Sequence, residues 1–389
     1  MISVADALSL IFEHTAVGNI SEISITDAYG YILAEDIHAP MNMPPFRQSA
    51  MDGYAFKHAA NTEYKIVGEV QAGSGNNIGL KASEAVRIFT GARVPDDADT
   101  VVMQEHTFLN NKILNIDKIP IKQSNVRPIG EQIKKGELVL NQGTFLNEAA
   151  LGFLAGLGIE RIPFIEVPKV GVLVTGDELQ ELGKPLREGQ IYESNGLTLQ
   201  LALKRAGIEN VTCRKVGDRL EQTIEAIAEL LDNNDVILIS GGISVGDYDF
   251  VREALAKNGV NEIFYKINQK PGKPLWYGTK DKKSVFALPG NPGSSLTCFY
   301  VYVWPTLRKI RGFKEYQNVL SSAVLKTAIN NSFGKVLFQK ATVVNGEATQ
   351  LTGQASSMLK SFAICNALLI VPEDAHHLKI GDKIQYIPL

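Results

Sequence analysis

The sequence predicts a multidomain α/β protein whose central unit is an open parallel sheet covered by helices. Three observations predict it. Between Lys169 and Gly312, short apolar runs alternate with helix-length amphipathic segments, the rhythm of parallel β-α-β units. From Ile23 to about Val139 the chain is made of short β-rich runs split by turn residues, which reads as a β-rich inserted domain. Beyond Gly312 the β character returns to the C-terminus, a stretch that fits a small β-barrel or sandwich.

The elements follow in order. Residues 3–17 are predicted helical, because Val4, Ala7, Leu8, Ile11 and Phe12 share one face, Ser3 can cap the start and Gly18 can end it. The inserted region offers strands at 64–70, 86–90, 100–105 and 112–116, with Gly73, Gly75, Asn76 and Asn77 as breakers. A second helix, 147–157, is capped by Asn147 and stopped by Gly158, and Pro163 and Pro168 mark a boundary. Strands are then predicted at 170–175, 211–216, 236–240, 263–267 and 285–288, and helices at 196–206, 220–231, 248–257 and 294–310. The unbroken run Val236-Ile237-Leu238-Ile239 fits a strand buried on both faces. In the last region, alternation at 334–344 and 367–371 is punctuated by turns at Asn345-Gly346 and Gly381-Asp382.

A chain of 389 residues exceeds one ordinary domain, and 45% apolar with 21% charged residues gives each domain material for a core. A net charge of −3 supplies no electrostatic reason to bind nucleic acid or an anionic membrane. No apolar run approaches the roughly 20 residues that cross a bilayer, and the N-terminus lacks a signal peptide's basic start. Cys213, Cys298 and Cys365 are odd in number and far apart, which argues against a disulfide framework and for a cytoplasmic setting. The histidines share no ligand spacing with them; His376-His377 reads as an exposed turn, so a zinc enzyme is not expected.

Chemistry is expected at the carboxyl ends of the strands, where helix N-termini and free backbone N–H groups converge. Four loops there carry loaded sequences: Thr175-Gly176-Asp177-Glu178, the segment from Ser240 to Asp249, Lys270-Pro271-Gly272-Lys273-Pro274, and Pro289-Gly290-Asn291-Pro292. In the second, Gly241, Gly242 and Gly246 let the backbone approach a ligand, Ser244 adds a hydroxyl, and Asp247 and Asp249 add carboxylates. It is neither a Walker A loop nor a dinucleotide fingerprint. One such loop is as readily a tight turn; four on one sheet point to a site for a phosphate-bearing small molecule.

Lys270 and Lys273 flank a Pro-Gly turn that brings two ammonium groups into a small volume, an arrangement an oxyanion offsets. Lys266 is equally a solvated charge. Asp177, Glu178 and Asp249 suit a divalent cation bridging to phosphate, although Asp177 and Glu178 could simply complement a helix dipole. Asp52, in Met51-Asp52-Gly53-Tyr54, and Thr90, in Thr90-Gly91-Ala92, are by themselves ordinary turn residues.

The motifs together resemble the MoeA-type molybdopterin molybdenumtransferases, relatives of the E domain of gephyrin and of its plant counterpart. The matching segments are P-x-F-x-x-S-A-M-D-G-Y-A from Pro44, I-x-T-G-A-x-[VL]-P from Ile88, T-G-D-E-L from Thr175 and G-Q-I-Y-x-S-N from Gly189. S-G-G-[VI]-S-x-G-x-x-D from Ser240, K-P-G-K-P from Lys270 and L-P-G-N-P from Leu288 complete the series, in family order and across nearly the whole chain. The resemblance implies an enzyme of the last step of molybdenum-cofactor synthesis, in which adenylated molybdopterin is cleaved with Mg²⁺, AMP leaves and molybdate is inserted. It implies an elongated homodimer of four-domain subunits: domain I from 1–45 and 135–167, domain II from 46–134, a MogA/MoaB-like domain III from 168–312 and domain IV from 313–389. The cleft would lie between domain III of one subunit and domain II of the other, which gives Asp52 and Thr90 a role. Transient contact with the adenylyltransferase of the same pathway is a further implied partner.

By motif, Gly241, Gly242, Ser244 and Gly246, with Pro289, Gly290, Asn291 and Pro292, resemble the nucleotide-binding loops. Glu178, Asp218 and Asp249 resemble the acidic set, with Asp177, Glu178 and Asp249 as the metal ligands. Lys270, Lys273 and Ser294 stand where molybdate-binding groups are expected, and Lys266 is counted with the catalytic residues. The chain departs from the family in having Gly293 where valine is usual. It also has Gly334-Lys335-Val336-Leu337-Phe338-Gln339-Lys340 where a G-R-x-x-F-x-R segment is expected, and lysine loses arginine's bidentate grip. Gln354-Ala355-Ser356-Ser357-Met358-Leu359 resembles the family's serine motif. Gln132 stands where an acid is common. The rival readings are the pathway's adenylyltransferase, whose T-G-G-T-G loop differs from Ser240-Gly241-Gly242-Ile243-Ser244, and a non-catalytic cofactor-binding or scaffolding protein.

Overall fold

A computed structural model of the chain describes residues 1–75, 77–243 and 250–389. Asn76, Ser244, Gly246, Asp247 and Asp249 of the sequence expectations lie outside the described residues. Helix α1, Val4–Glu13, begins at Ser3, whose hydroxyl oxygen accepts from the Asp6 N–H. It ends sooner than Gly18: the Thr15 hydroxyl turns back to the Ile11 carbonyl, and the chain leaves the helix. Its apolar face, Ala7, Ile11 and Phe12, joins the core of the central α/β unit. Strand β1, Ile20–Ser24, is the first edge of a small antiparallel sheet.

The β-rich unit has a six-stranded sheet of β2 (Gly53–Phe56), β3 (Glu63–Val70), β4 (Glu84–Ile88), β5 (Thr100–Met103), β6 (Thr107–Asn110) and β7 (Ile113–Ile116), in the spatial order β5-β2-β4-β3-β7-β6. Gly53 is required at its place, because a Cβ there would lie 1.8 Å from the Val102 carbonyl oxygen of β5. The chain returns through α2 (Glu148–Gly156), capped by Asn147 as expected, to β8 (Arg161–Ile165), which pairs antiparallel with β1.

The central unit alternates as predicted: β9 (Val170–Thr175), α3 (Asn195–Arg205), β10 (Val211–Val216), α4 (Leu220–Asn233), β11 (Val236–Ser240) and α5 (Val251–Lys257), then β12 (Asn261–Tyr265), β13 (Trp276–Lys280) and β14 (Lys283–Leu288). Its order is β10-β9-β11-β14-β13-β12. The first four of these strands are parallel, but β13 runs antiparallel to both neighbours, so the sheet is mixed rather than wholly parallel. Strand β13 is the element the sequence hides. Pro274 precedes it and Gly278 sits at its centre, and the tight turn into β14 uses Asp281 in left-handed backbone. Its reversal matters for the site, because Trp276 pairs with Ala287, so the 266–274 segment reaches the same sheet edge as the carboxyl ends of β9, β11 and β14.

The last helix is α6 (Pro292–Cys298) followed by a π turn at Phe299–Val303 and α7 (Trp304–Ile310). Pro305 supplies the reason: without an N–H it cannot continue the ladder, and a wider turn relieves the break. Beyond it, β15 (Ser321–Leu325), β16 (Val336–Val344), β17 (Glu347–Gln350), β18 (Ala367–Val371) and β19 (Lys383–Pro388) close into the expected barrel, since β16 pairs with both β17 and β18. Gln269-Lys270 adds a short parallel strand to the outside of β16.

Among the described residues no helix is long and apolar enough to cross a membrane, and all three cysteines are free.

Candidate functional site

Three strand ends converge. The Asn195 amide, at the start of α3, donates to the Ser240 hydroxyl at 2.9 Å and to the Gly290 carbonyl at 2.7 Å. One side chain thus ties the ends of β11 and β14 to α3. Gly241 and Gly242 have φ of 98° and 59°, and their close approach is the reason for glycine. A Cβ on Gly241 would sit 2.8 Å from the Thr175 carbonyl oxygen, and one on Gly242 would sit 2.8 Å from Val251. Thr175, Asp218, Thr223, Gly242, Phe250 and Val251 line a narrow niche, and among the described residues the buried Thr175 hydroxyl has no hydrogen-bond partner.

The acidic members of the site lie just outside this cradle. Asp177 and Asp218 exchange contacts: each carboxylate accepts from the other's backbone N–H at 3.3 Å. The Glu178 carboxylate folds back toward Gly176, whose absent Cβ leaves it room. Hard carboxylate oxygens in such an array suit a divalent cation that shares phosphate oxygens. Among the described residues, however, no group of three His, Cys, Asp or Glu is arranged around a common metal position. Asp249 of the expected set lies outside the described residues.

The lysine-bearing loop stands on α6. Gln269, fully buried, donates to the Pro271 carbonyl at 3.0 Å and the Gly272 carbonyl at 3.3 Å, and accepts from the buried Tyr302 hydroxyl. Gly272 (φ 89°) passes so close to Cys298 that a Cβ would be 2.5 Å from its sulfur. Lys270 and Lys273 are exposed at the two ends of this anchored turn. The Lys270 ammonium lies 3.3 Å from the centre of the Phe333 ring in the barrel unit, and the Lys266 ammonium 4.6 Å from that of Tyr265.

The barrel closes on the opening of α6. The Ser294 N–H donates to the Ser356 carbonyl at 3.1 Å, and the Asn291 amide donates to the Ser356 hydroxyl oxygen at 2.9 Å. Both departures seen in the sequence meet here. Gly293 is the position where a Cβ would be 2.8 Å from the Ser356 carbonyl oxygen, and Lys340 is buried directly behind the serine turn. Lys335 contributes its carbonyl to the Asn331 amide at 2.9 Å.

Asp52 and Thr90 form a separate cluster on the β-rich unit. The Thr90 N–H and hydroxyl both donate to one Asp52 carboxylate oxygen, at 2.7 and 2.8 Å. These bonds, the backbone one foremost, hold the Asp52 carboxyl below the usual carboxylate range, and Arg87 adds to the effect. Arg87 itself is fixed by the Gly53 carbonyl and the Gln104 amide oxygen, and its guanidinium lies about 5 Å from the Tyr54 and Phe89 rings. Among the described residues no hydrogen bond or ion pair joins this cluster to the strand-end loops of the same chain. Arg87, Asn195, Gln269 and Lys340 have contacts that the motif reading did not give them. Asn195 stood inside a quoted motif and Lys340 ends the segment that replaces G-R-x-x-F-x-R; Arg87 and Gln269 carry no local signal, because their partners lie far away in sequence.

Three family models account for most of the chain. Residues 2–158 match the MoeA N-terminal region (domain I and II), 171–309 a probable molybdopterin binding domain, and 322–389 the MoeA C-terminal region (domain IV). A molybdopterin molybdenumtransferase of Haemophilus influenzae is 35% identical over 377 residues, covering 94% of this chain and 93% of its own. One from Staphylococcus epidermidis is 32% identical over 399 residues, covering 99% and 95%. Two crystal structures of the molybdopterin biosynthesis MoeA protein from Pyrococcus horikoshii superpose with TM-scores of 0.88 and 0.84 at 28% identity, covering all of this chain and 99% and 100% of their own.

Proposed function

The chain belongs to the molybdopterin molybdenumtransferase (MoeA) family, and on that premise we propose how its site divides the work between a pterin nucleotide and molybdate. The protein is a transferase of molybdenum-cofactor synthesis that acts in molybdenum insertion. The observation that carries the finer reading is the Asn195 bridge. It draws the Gly241-Gly242 turn and the Pro289–Pro292 loop into one cradle, beside an acidic cluster and an anchored lysine turn.

In this reading Gly241, Gly242, Ser244 and Gly246 hold the phosphates of adenylated molybdopterin, with Pro289, Gly290, Asn291 and Pro292 opposite. Lys266, Lys270, Lys273 and Ser294 hold molybdate. Two ammonium groups on a rigid turn lower the cost of bringing an oxyanion next to a phosphate. Asp177, Glu178 and Asp249 would hold Mg²⁺, and Asp218 would orient the phosphates; when bound, the ion would neutralise charge as the nucleotide bond breaks and AMP leaves. Hard oxygen donors fit that ion.

Among the described residues Asp52 and Thr90 bond to each other and share no hydrogen bond or ion pair with these loops. A second copy of the chain that brings its β-rich unit to the strand ends would complete the site, which makes a homodimer the working unit. The test is direct. Purified protein given adenylated molybdopterin, molybdate and Mg²⁺ should release AMP and form molybdenum cofactor. Consumption of ATP and free molybdopterin instead would assign it the adenylyltransferase step, and a monomeric mass by light scattering at micromolar concentration would remove the shared site.

A further inference from the structure

Lys340 is one of the most buried charged groups of the chain, with 2% of its surface exposed. A buried ammonium is costly unless its donors are satisfied. Here they are: the Lys340 amine donates to the carbonyls of Gly353 at 2.9 Å, Met358 at 3.1 Å and Ala355 at 3.4 Å. The same residue's backbone exchanges two further bonds with the Gln354 side chain, at 3.0 and 2.8 Å. Ser361 adds a third donor to the turn through the Gly353 carbonyl, at 2.7 Å. All the partners of Lys340 in these bonds belong to a single turn, 353–358, which has little regular structure of its own.

That turn has one product on its outer side, Ser356. Its carbonyl meets the Ser294 N–H, and its hydroxyl oxygen accepts from Asn291. A hydroxyl whose oxygen is already an acceptor for an amide keeps its own proton free to donate. Ser356 is therefore oriented as a donor at the opening of α6, next to the lysine turn. The fit has no slack, because a Cβ on Gly293 would already crowd the Ser356 carbonyl oxygen at 2.8 Å.

We propose that Lys340 is a positioning residue for the reaction: from inside the barrel it fixes the 353–358 turn and so aims the Ser356 hydroxyl at the oxyanion site formed with Ser294 and the lysine turn. Lys340 touches no substrate in this scheme. It acts through three carbonyls and one serine, and Gly293 is the matched position on the other side of the seam. The inference rests on the placement of molybdate at Lys270, Lys273 and Ser294.

The experiment measures molybdenum insertion as a function of molybdate concentration for wild type, Lys340→Met, Ser356→Ala and the double variant, with Gly293→Val as an independent way to push the turn aside. Methionine keeps the length of the side chain and removes its donors. Lys340→Met should raise the molybdate KM about tenfold, with kcat and the affinity for the pterin nucleotide within about twofold of wild type. Ser356→Ala should do the same, and the double variant should be no worse than either single, because both remove one action. Gly293→Val should give the same KM change with Lys340 intact, which keeps the idea testable if Lys340→Met folds poorly. Amide exchange of Ser294 and of 353–358 should accelerate in Lys340→Met. Additive effects of the two substitutions, an unchanged molybdate KM in Lys340→Met or Gly293→Val, or equal losses in affinity for both substrates would overturn the proposal. Failure of the wild type to insert molybdenum would instead overturn the functional reading beneath it.

Discussion

Replacing Gln269 by leucine removes the post on which the lysine turn stands, and its cost can be worked from the bonds it makes. The amide donates to Pro271 and Gly272 and accepts from Tyr302; of these partners the Gly272 carbonyl also takes a weak contact from the Cys298 thiol at 3.8 Å. Pro271 is half-buried and can reach water; the Gly272 carbonyl and the Tyr302 hydroxyl cannot. A buried group left without its strong partner costs about 1–3 kcal/mol; the Tyr302 hydroxyl loses its acceptor, the Gly272 carbonyl keeps only the weak thiol contact, and leucine's burial returns part of the cost. We expect a net loss of about 3 kcal/mol from the α/β unit, roughly a 100-fold change in its folding equilibrium. The assay is selective. The chain has two tryptophans, Trp276 and Trp304, and both belong to this unit, so their fluorescence in urea reports its unfolding. The same variant should lose molybdate affinity, because Lys270 and Lys273 no longer hang from a fixed turn. A loss under about 0.5 kcal/mol, or full stability loss with an unchanged molybdate KM, would refute the idea that Gln269 organises the site.

Other expectations follow from single distances. Gly241→Ala forces a Cβ toward the Thr175 carbonyl in left-handed backbone; calorimetry should show pterin-nucleotide binding weakened about tenfold or more, from roughly 1–2 kcal/mol of strain, and unaltered binding would remove the turn from the cradle. Thr90→Val takes one of two bonds from Asp52 and leaves the backbone bond. A carboxyl with a depressed pKa keeps its charge until pH falls through that lowered value, so the acid limb of the activity profile should move to higher pH in the variant; a fixed limb would mean that Asp52 does not set it. Arg87→Lys keeps the charge but loses the flat group between Tyr54 and Phe89. Activity should fall several-fold with thermal stability nearly unchanged, and wild-type rates would make Arg87 a bystander. Gly53→Ala should destabilise the β-rich unit by about 3 kcal/mol or more, seen in its own denaturant transition, since the clash is with backbone that cannot rotate away.

The parts of this molecule legible in its sequence are those governed by local rules. The β-α rhythm from Val170 to Ile310, the caps at Ser3 and Asn147 and the closely approaching Gly241-Gly242 pair follow from periodicity, capping and backbone sterics, which act within a few residues. Strand β13 was invisible because the proline before it and the glycine at its centre outweigh its short apolar run, and only its neighbours β12 and β14 make it a strand. The pairing of Asp52 with Thr90 depends on β2 lying beside β4, with Gly53 opposite Ile88, a register fixed by tertiary packing. Gln269, and the inward bonding of Lys340, were unreadable for a related reason. Buried polar residues are defined by what they bond to, and their partners reach as far as Tyr302 and Met358.

The ties around the lysine segment also have a consequence for the order in which the protein can be made. Ile2 bonds to the Lys266 carbonyl at 3.2 Å and accepts from the Asn268 N–H at 2.8 Å, while Gln269-Lys270 pairs with Val336-Leu337. Ile2 therefore waits for a partner synthesised much later, and that partner waits in turn for the barrel strands. Contacts of such sequence separation form late. The lysine-bearing edge is thus a seam sewn from three distant parts of the chain, and a nascent protein still lacking the barrel strands would carry a folded sheet without a finished edge.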